Sequence, residues 1–293
     1  MGGVEKMFAN LCEGLDRAGV RFEVNLPFRG LRAGDRIGVL GRGRAALAGY
    51  DRPFPLVAGI GLMGHPSEWP DLCTAYPVMR YLQHSEWTDA VYRPFFGDRC
   101  AIWPVGIDTQ HWSPGDGACD LDVLVYDKIY WERAQRENDL IQPLLKALSS
   151  RGLKFASIRY GDYEPEQYRR LLRRSRAMLF LSAHESQGLA YQEALSCGVP
   201  VLAWDQGHCL DPQRFAWSQP EIRATSVPYF DARCGERFRD VTEFEPLLEI
   251  FLQRLSANIY QPREYVLEHL ELANCAQRFM DILDQVACEH GNA

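Results

Sequence analysis

Residues 184–205 have the sequence HESQGLAYQEALSCGVPVLAWD, and this stretch decides the predicted fold of the chain. The apolar run AMLFLSA at residues 177–183 precedes it and predicts a buried strand. Good helix formers after Gly188 predict a helix that ends before Gly198, a residue type common just past a helix end. The apolar residues 199–204 predict a second strand. Strand, turn, helix and strand in this order predict a parallel pair joined by a right-handed crossover.

The polar turn before this helix is the predicted ligand site. Ligands of open α/β sheets bind beyond the carboxyl ends of the strands, and the N–H groups at a helix start suit a phosphate. Gly188 lets a ligand approach the backbone closely. Glu185 precedes the helix, and Glu193 lies about 7.5 Å along its axis at 1.5 Å per residue. A phosphate at the helix start would thus have a carboxylate on each side, which fits the hydroxyls flanking the diphosphate of a nucleotide sugar. The alternative is structural: a helix-start Glu185 favoured by the helix dipole, and a solvated Glu193.

Glu185 and Glu193 have a Glu-x7-Glu spacing with Gly188 between them, and the segment CGVPV follows at residues 197–201. This pattern resembles the donor-site signature of retaining glycosyltransferases of the GT-B fold, especially glycosyltransferase family 4 (glycosyl transferases group 1). Gln187 stands where the family usually has an aromatic residue before the glycine. The resemblance implies a hexosyltransferase-type enzyme that uses a UDP- or GDP-sugar, retains the configuration of the sugar and needs no metal or other cofactor.

The resemblance also implies an α/β architecture of two Rossmann-like domains that face a cleft. We expect an N-terminal acceptor domain over residues 1–115, a C-terminal donor domain over residues 116–270, and a last helix over residues 271–293 that crosses back to the first domain. The segment AIWPVGIDTQHWSP at residues 101–114 resembles the family's junction between domains. In the family a strand precedes the first Gly-Gly loop, whereas this chain begins at that loop, so we expect a shortened N-terminal domain.

Roles for individual residues follow from the same resemblance. Glu185 is expected to hold the transferred sugar and Glu193 the ribose. Two cations after the strand predicted at residues 121–126, Lys128 and Arg133, are expected to offset the diphosphate charge, although their types are exchanged and their spacing shortened relative to the family. The residues expected to bind the donor are Gly3, Lys128, Arg133, Tyr160, Ser186, Gly188, Leu189 and Glu193.

Aromatic side chains stand where a nucleobase would be expected. The segment YGDY at residues 160–163 follows a strand predicted at residues 154–159, so Tyr160 or Tyr163 is expected to stack on the base.

A histidine of the N-terminal domain approaches the transferred sugar in the family, and two histidines are candidates here. His65 lies on a glycine-rich loop after the apolar strand predicted at residues 55–60, whereas His84 follows a strand that ends at Leu82. We favour His65 as a catalytic residue beside Glu185. The alternative, that both histidines are structural or merely exposed, stays open.

Composition and charge limit the classes of function. Apolar residues make up 46% of the 293 residues and charged residues 24%, and no run approaches the ~18 apolar residues of a membrane span. The first residues lack the order of a signal peptide, and the nine cysteines are scattered without a CxxC pair, so we expect a cytoplasmic protein with reduced thiols and no zinc site. The net charge of −7 argues against general nucleic-acid binding.

A cluster of arginines near the N-terminus bears on the acceptor. These are Arg29, Arg32, Arg36, Arg42 and Arg44. The cluster suits an acidic acceptor or an anionic membrane surface, and a solvated basic loop is the alternative. The expected partners are therefore a nucleotide sugar and a carbohydrate or lipid-linked acceptor, with peripheral contact at the inner face of the membrane left open.

Two other functions remain open on the sequence alone. One is a sugar-nucleotide epimerase or a phosphorylase of the same fold, which would release free sugar or sugar phosphate instead of a glycoside. The other is a shortened, inactive relative that serves as a binding partner or a sensor.

Overall fold

The computed structural model describes residues 3–291, and the first two and last two residues lie outside the described part of the chain. The chain divides into two compact units. The front unit comprises Met1–Gly106 and Leu270–Ala293, and the rear unit is Ile107–His269. The division after Gly106 lies nine residues before the boundary proposed from the sequence at residue 115.

Helices and strands alternate along most of the described chain, which confirms the predicted α/β class. The strands are β1 (Ile37–Leu40), β2 (Leu56–Gly59), β3 (Val78–Gln83), β4 (Cys100–Ile102), β5 (Leu121–Lys128), β6 (Phe155–Arg159), β7 (Ser175–Ser182), β8 (Val201–Trp204) and β9 (Gly235–Phe238). The α-helices are α1 (Gly3–Arg17), α2 (Leu72–Ala75), α3 (Glu86–Phe96), α4 (Arg133–Arg136), α5 (Gln142–Ser150), α6 (Pro165–Arg174), α7 (Leu189–Ser196), α8 (Gln213–Ala216), α9 (Val241–Ser256), α10 (Pro262–His269) and α11 (Leu272–Gly291). None of the helices within residues 3–291 has the length and apolar character needed to cross a membrane.

A four-stranded parallel sheet with the order β1-β2-β3-β4 forms the centre of the front unit. Its strands are short and mostly apolar, because a parallel sheet is covered on both faces. Trp69, Tyr92 and Phe96 join the buried side chains of the sheet in one hydrophobic cluster. Helix α3 begins with a capping box, in which the Thr88 hydroxyl accepts from the Ser85 amide at 3.1 Å.

The C-terminal helix α11 is part of the front unit, where it packs on α1. Gly14 of α1 makes this packing close, because a Cβ at that position would lie 2.7 Å from the Leu272 carbonyl oxygen. Trp103 is buried beneath α11, and its indole nitrogen donates to the Cys275 carbonyl at 2.9 Å. Apolar residues at helical spacing predict a helix over residues 1–18, and the structure has α1 there. Met1 and Gly2 of that prediction lie outside the described residues.

A five-stranded parallel sheet with the order β6-β5-β7-β8-β9 forms the centre of the rear unit. The register places Tyr126 of β5 opposite Phe180 of β7, and Lys128 opposite Ser182. Helices α5 and α9 contribute Leu144, Leu248 and other buried side chains to the cluster beneath this sheet. Because all five strands are parallel, their carboxyl ends lie along one edge, and the loops at that edge carry most of the predicted site.

The apolar residues within 22–26 and 223–230 predict two further strands, and both predictions are wrong. Residues 22–26 form no strand, because Phe22 and Val24 stay exposed and Asn25 has a left-handed φ of 56°. Residues 223–230 form only an isolated bridge at Arg223. The last strand is instead β9, which is hard to predict because it begins with a glycine.

Candidate functional site

Lys128 and Glu185 form a largely buried ion pair at the carboxyl edge of the rear sheet. Lys128 ends β5, and its Nζ atom lies 2.8 Å from each Glu185 carboxylate oxygen. The Ser182 hydroxyl, at the end of β7, donates to Oε1 of Glu185 at 2.8 Å. Burial lowers the pKa of the Lys128 ammonium, but the charge and hydrogen bond of Glu185 more than offset this, so that its pKa lies above the ordinary value. This edge of the sheet therefore holds a charged ammonium beside an oriented carboxylate.

A pocket of about 240 Å³ opens beside this pair, between the loops that follow β5 and β6. Its lining residues are Asp127, Lys128, Ile129, Tyr130, Arg159, Tyr160 and Asp162. The Tyr130 and Tyr160 rings pack edge to face at 5.9 Å, and Lys128 Nζ lies 4.7 Å from the centre of the Tyr160 ring. Tyr130 is 51% exposed and Tyr160 37%, so both rings offer surface to a planar group. The pocket thus combines aromatic surface with a cation.

The structure brings Tyr160 to this pocket and keeps Tyr163 away from it. Tyr163 packs against Tyr126, with the two hydroxyl oxygens 2.6 Å apart. Burial, partly offset by the Tyr126 hydrogen bond, raises the pKa of Tyr163 to about 12. Of the two tyrosines that the sequence offers for a nucleobase, Tyr160 is therefore the one that lines the pocket.

Arg133 is already held by two carboxylates of the protein. Its Nη1 atom donates to both oxygens of Asp127, at 2.7 and 2.5 Å, and Nη2 donates to Glu137 at 2.7 Å. Burial lowers the pKa of Arg133, but the hydrogen bonds and charges of Asp127 and Glu137 raise it by more, so the pKa lies above its ordinary value. Arg159, the last residue of β6, is the second cation that lines the pocket. Arg159 is not among the residues predicted from the sequence to bind the donor, although its place at the end of a predicted strand was a signal.

The backbone at the start of α7 requires a glycine. Gly188 has a φ of 80°, and a Cβ there would lie 2.1 Å from Cε1 of Tyr191. Gln187 and Gln192 close the same turn, since Gln187 Nε2 donates to Gln192 Oε1 at 2.9 Å and Gln192 Nε2 donates to the Gln187 carbonyl at 2.6 Å. This amide pair accounts for the glutamine that stands in the usual aromatic position.

Glu193 is buried inside α7, with 2% of its side chain exposed. Burial and, second, the nearby charge of Glu193 raise the pKa of Tyr168. The Tyr168 hydroxyl donates to the Ala190 carbonyl of α7, the helix that contains Glu193, at 2.6 Å. The interpretation of Glu193 as a solvated helix residue is therefore wrong, because the residue is buried beside Tyr168. In the turn before α7, Ser186 is exposed, whereas Leu189 in the first turn is half-buried.

The two remaining candidates, His65 and Gly3, belong to the front unit. The His65 side chain is fully buried, and its Nδ1 atom accepts from the Ser67 amide at 3.2 Å at the start of a short 3₁₀ turn. The ring also packs edge to face on Phe95, at 5.6 Å between centroids. Gly3 is exposed at the start of α1. The expectation of an accessible loop histidine is therefore not met, and the burial of His65 favours its structural alternative.

His84, the second histidine candidate, is half-buried. Burial lowers the pKa of His84 to about 4, so its ring is neutral near pH 7.

No protein-family model matches the chain, and no curated protein is significantly similar to it in sequence. Solved structures are similar in fold. AviGT4, a glycosyltransferase involved in avilamycin A biosynthesis, is 14% identical with a TM-score of 0.58, over 99% of this chain and 91% of its own. The GtfA/B complex contains a chain that is 14% identical with a TM-score of 0.60, over 89% of this chain. A TarM mutant from S. aureus, in complex with fondaparinux, alpha-GlcNAc-glycerol and UDP, is 10% identical with a TM-score of 0.59, over 81% of this chain.

These similarities show the fold, which is that of GT-B glycosyltransferases, and they confirm the fold class predicted from the sequence. The chain spans 59% of the GtfA/B chain and 52% of the TarM chain that it matches.

Proposed function

We propose that the chain transfers a hexosyl group from a UDP- or GDP-sugar to a carbohydrate or lipid-linked acceptor, with retention of configuration and without a metal ion. One observation carries the proposal: two buried carboxylates, Glu185 and Glu193, lie on either side of Gly188, the N-cap of α7, in the chain. Lys128 is bound to the first of them. The fold supports it, because glycosyltransferases share the fold and the matching TarM structure contains UDP.

Each group of the donor has a chemically suitable partner in this arrangement. Glu185 accepts hydrogen bonds from the sugar hydroxyls and Glu193 from the ribose, since a carboxylate can accept from a diol. The start of α7, including the Gly188 and Leu189 amides, receives the diphosphate. Tyr160 stacks on the base, and Ser186 in the exposed turn adds a hydroxyl donor.

Lys128 and Arg159 are the cations that meet the diphosphate in this proposal. Arg133 acts one step away, because its bonds to Asp127 fix the residue that precedes Lys128. A diphosphate carries more charge than one carboxylate, so it competes for the Lys128 ammonium and frees Glu185 for the sugar. Two cations and a helix start offset the phosphate charge, which is the reason for proposing a metal-independent reaction.

The rate would come mainly from positioning and from charge stabilisation. The bond between the anomeric carbon and the phosphate oxygen breaks, and its electron pair stays on the nucleoside diphosphate. The acceptor oxygen bonds to the same face of an oxocarbenium-like sugar, and its proton passes to the departing phosphate oxygen. Lys128 stabilises the charge that grows on that phosphate. The proposed reaction takes place in the cytoplasm, where a lipid-linked acceptor would require contact with the inner face of the membrane.

Ligand binding and turnover test the proposal together. UDP or GDP should raise the melting temperature, because a ligand at 100 times its Kd adds about 2.7 kcal/mol to the free energy of unfolding. Glu185→Gln should keep this shift and lose glycosyl transfer. The matched control is Glu245→Gln, at an exposed glutamate that pairs with Arg151 on the surface, which should change neither. Activity should survive EDTA, and the product should keep the anomeric configuration of the donor.

The outcome decides among the functions left open by the sequence. No shift with any nucleoside diphosphate, together with no turnover, would mean an inert relative. Free sugar or sugar phosphate as the sole product would mean an epimerase or a phosphorylase. Loss of activity in EDTA that Mg²⁺ or Mn²⁺ restores would contradict the metal-independent step.

A further inference from the structure

A long connecting segment, residues 206–227, follows the carboxyl end of β8 and ends before β9 begins. It contacts three successive residues ahead of α7 through hydrogen bonds to their backbone or side chain. These contacts are Gln206 Nε2 to the Ala183 carbonyl (3.1 Å), the Leu210 amide to Nδ1 of His184 (3.4 Å), and the Glu185 amide to the Thr225 carbonyl (2.9 Å). The backbone that presents the Glu185 carboxylate is therefore held from outside its own loop.

The C-terminal end of this connecting segment is held beside the sheet by one carboxylate. Asp205 follows β8, and its Oδ2 atom accepts from the Thr225 hydroxyl at 2.9 Å. Its Oδ1 atom accepts from the Ser226 amide at 2.9 Å, and the Thr225 hydroxyl accepts from the Val227 amide at 3.1 Å. The Asp205 side chain is only 9% exposed, so water competes little for these bonds. Asp205 thus sets where the Thr225 carbonyl lies.

We infer that Asp205 and Thr225 are positioning residues for the sugar-binding carboxylate of Glu185. The inference rests on the proposed function, because it assigns a role in sugar transfer. Lys128 and Ser182 hold the Glu185 carboxylate, but only the Thr225 carbonyl among these contacts holds its backbone amide. A shift of about 1 Å in a positioning group can cost roughly 100-fold in rate. Loss of the link from Asp205 to Thr225 should therefore impair chemistry on the sugar and spare binding of the nucleoside diphosphate.

The decisive variant is Thr225→Val, which keeps the side-chain shape and removes the hydroxyl. We expect kcat for the nucleotide sugar to fall by roughly tenfold or more, while the Kd for UDP or GDP stays within about twofold. Hydrogen exchange at the Glu185 amide should become faster. Thr225→Ser, which keeps the hydroxyl, should have the kcat and the Glu185 amide exchange rate of the wild type. Asp205→Asn should show the same losses as Thr225→Val.

Thr242→Val is the matched control in the same unit. The Thr242 hydroxyl donates to Asp240 Oδ1 at 2.5 Å at the start of α9, which is the same pair of residue types outside the site. Thr242→Val should lower the melting temperature and leave kcat and hydrogen exchange at the Glu185 amide unchanged.

Two results separate the failure of this inference from that of the proposed function. Equal loss of melting temperature in Thr225→Val and Thr242→Val, with kcat and Glu185 exchange unchanged in both, would show that the link is only structural. A wild-type protein without nucleotide binding or turnover would overturn the proposed function, and with it the role in transfer. The exchange measurement would then still report whether Thr225 holds the Glu185 backbone.

Discussion

Lys128 is the residue that connects the two parts of the proposed donor site. Its ammonium contacts the Glu185 carboxylate and the face of Tyr160, so one charge serves the sugar end and the base end. Its raised pKa keeps it protonated throughout the physiological range. In the proposed complex it gives up part of its contact with Glu185 and gains the diphosphate.

Lys128→Met should weaken the binding of UDP or GDP, because a hydrogen bond to a charged group is worth about 1.5–3 kcal/mol, or roughly 10- to 150-fold in Kd. Methionine is one atom shorter than lysine and keeps the unbranched shape of its aliphatic stem, so the fold should be retained. Isothermal titration with the free nucleoside diphosphate measures the effect. Lys146→Met, at an exposed lysine of α5, is the control and should bind as the wild type does. Equal affinities in both variants would remove Lys128 from the site.

Glu193→Gln tests the second carboxylate separately. The glutamine keeps the size of the enclosed side chain and loses the charge-assisted bonds to the ribose, again worth about 1.5–3 kcal/mol. We expect weaker binding of the nucleoside diphosphate with little change in melting temperature. A deoxyribose analogue gives a sharper comparison, because the wild type should lose affinity for it while Glu193→Gln should bind the two nucleotides alike. If the variant still discriminates between them, Glu193 does not contact the ribose.

The sequence indicates candidate residues for the proposed site more readily than it indicates their partners. Glu185, Gly188 and Glu193 stand out as candidates because they lie close together in the chain, around one helix start. The engagement of Arg133 could not be foreseen, since it depends on how the chain turns after β5 to bring Asp127 and Glu137 to the same guanidinium. The same loop folding decides which of the neighbouring cations lines the pocket.

Helix α7 is the element on which the proposed site is built, and a glycine with a left-handed φ lies at each end of it. Gly188 has a φ of 80° and Gly198 a φ of 79°. Their surroundings differ, since a Cβ at Gly188 would meet the Tyr191 ring at 2.1 Å, whereas a Cβ at Gly198 would lie 3.7 Å from Pro114. The Tyr191 ring is fixed in place, because its hydroxyl accepts from the Tyr229 amide at 2.9 Å.

Gly198→Ala should therefore cost only the backbone strain of about 1–2 kcal/mol. Gly188→Ala should cost that strain and, in addition, about 1–3 kcal/mol for overpacking against a ring that cannot move away. Urea unfolding of the two variants gives both numbers. Gly188→Ala should also weaken nucleoside diphosphate binding, because the start of the helix is displaced. Equal free energies of unfolding for the two variants would mean that the Tyr191 ring moves aside easily and leaves room for the added methyl group.

Elements with a clear hydrophobic pattern were predictable, and those decided by close packing were not. The strands β5 and β7 are apolar runs with both faces buried, so their sequences alone indicate them. Strand β9 depends on Gly235, where a Cβ would lie 1.9 Å from the Val201 carbonyl oxygen. The need for a glycine there comes from the neighbouring strand β8, which is distant in the chain. Local pattern could not reveal it.

At the scale of the whole molecule, the chain contains two units with separate hydrophobic clusters. The front unit is discontinuous, so its stability depends on a helix from the far end of the chain. Phe279 of α11 packs on Trp103 with ring centroids 5.1 Å apart, and a Cβ at Gly38 would lie 2.7 Å from the Phe279 ring. In the rear unit, Phe251 of α9 is also buried, at 1% exposure against 5% for Phe279, and its ring lies 5.2 Å from that of Tyr260.

Phe279→Leu and Phe251→Leu form a matched pair that tests whether the units unfold independently. Each should cost about 0.5–3 kcal/mol, the usual range for a core substitution. Because each unit has its own core, Phe279→Leu should speed hydrogen exchange in β1, β2 and β3 and leave β5 and β7 protected, whereas Phe251→Leu should do the reverse. A nucleoside diphosphate, which the proposed function places on the rear unit, should slow exchange around Glu185 in wild type and in Phe279→Leu alike. If Phe279→Leu instead speeds exchange equally in both sheets, the two units form one cooperative structure, and damage to either would impair nucleotide binding.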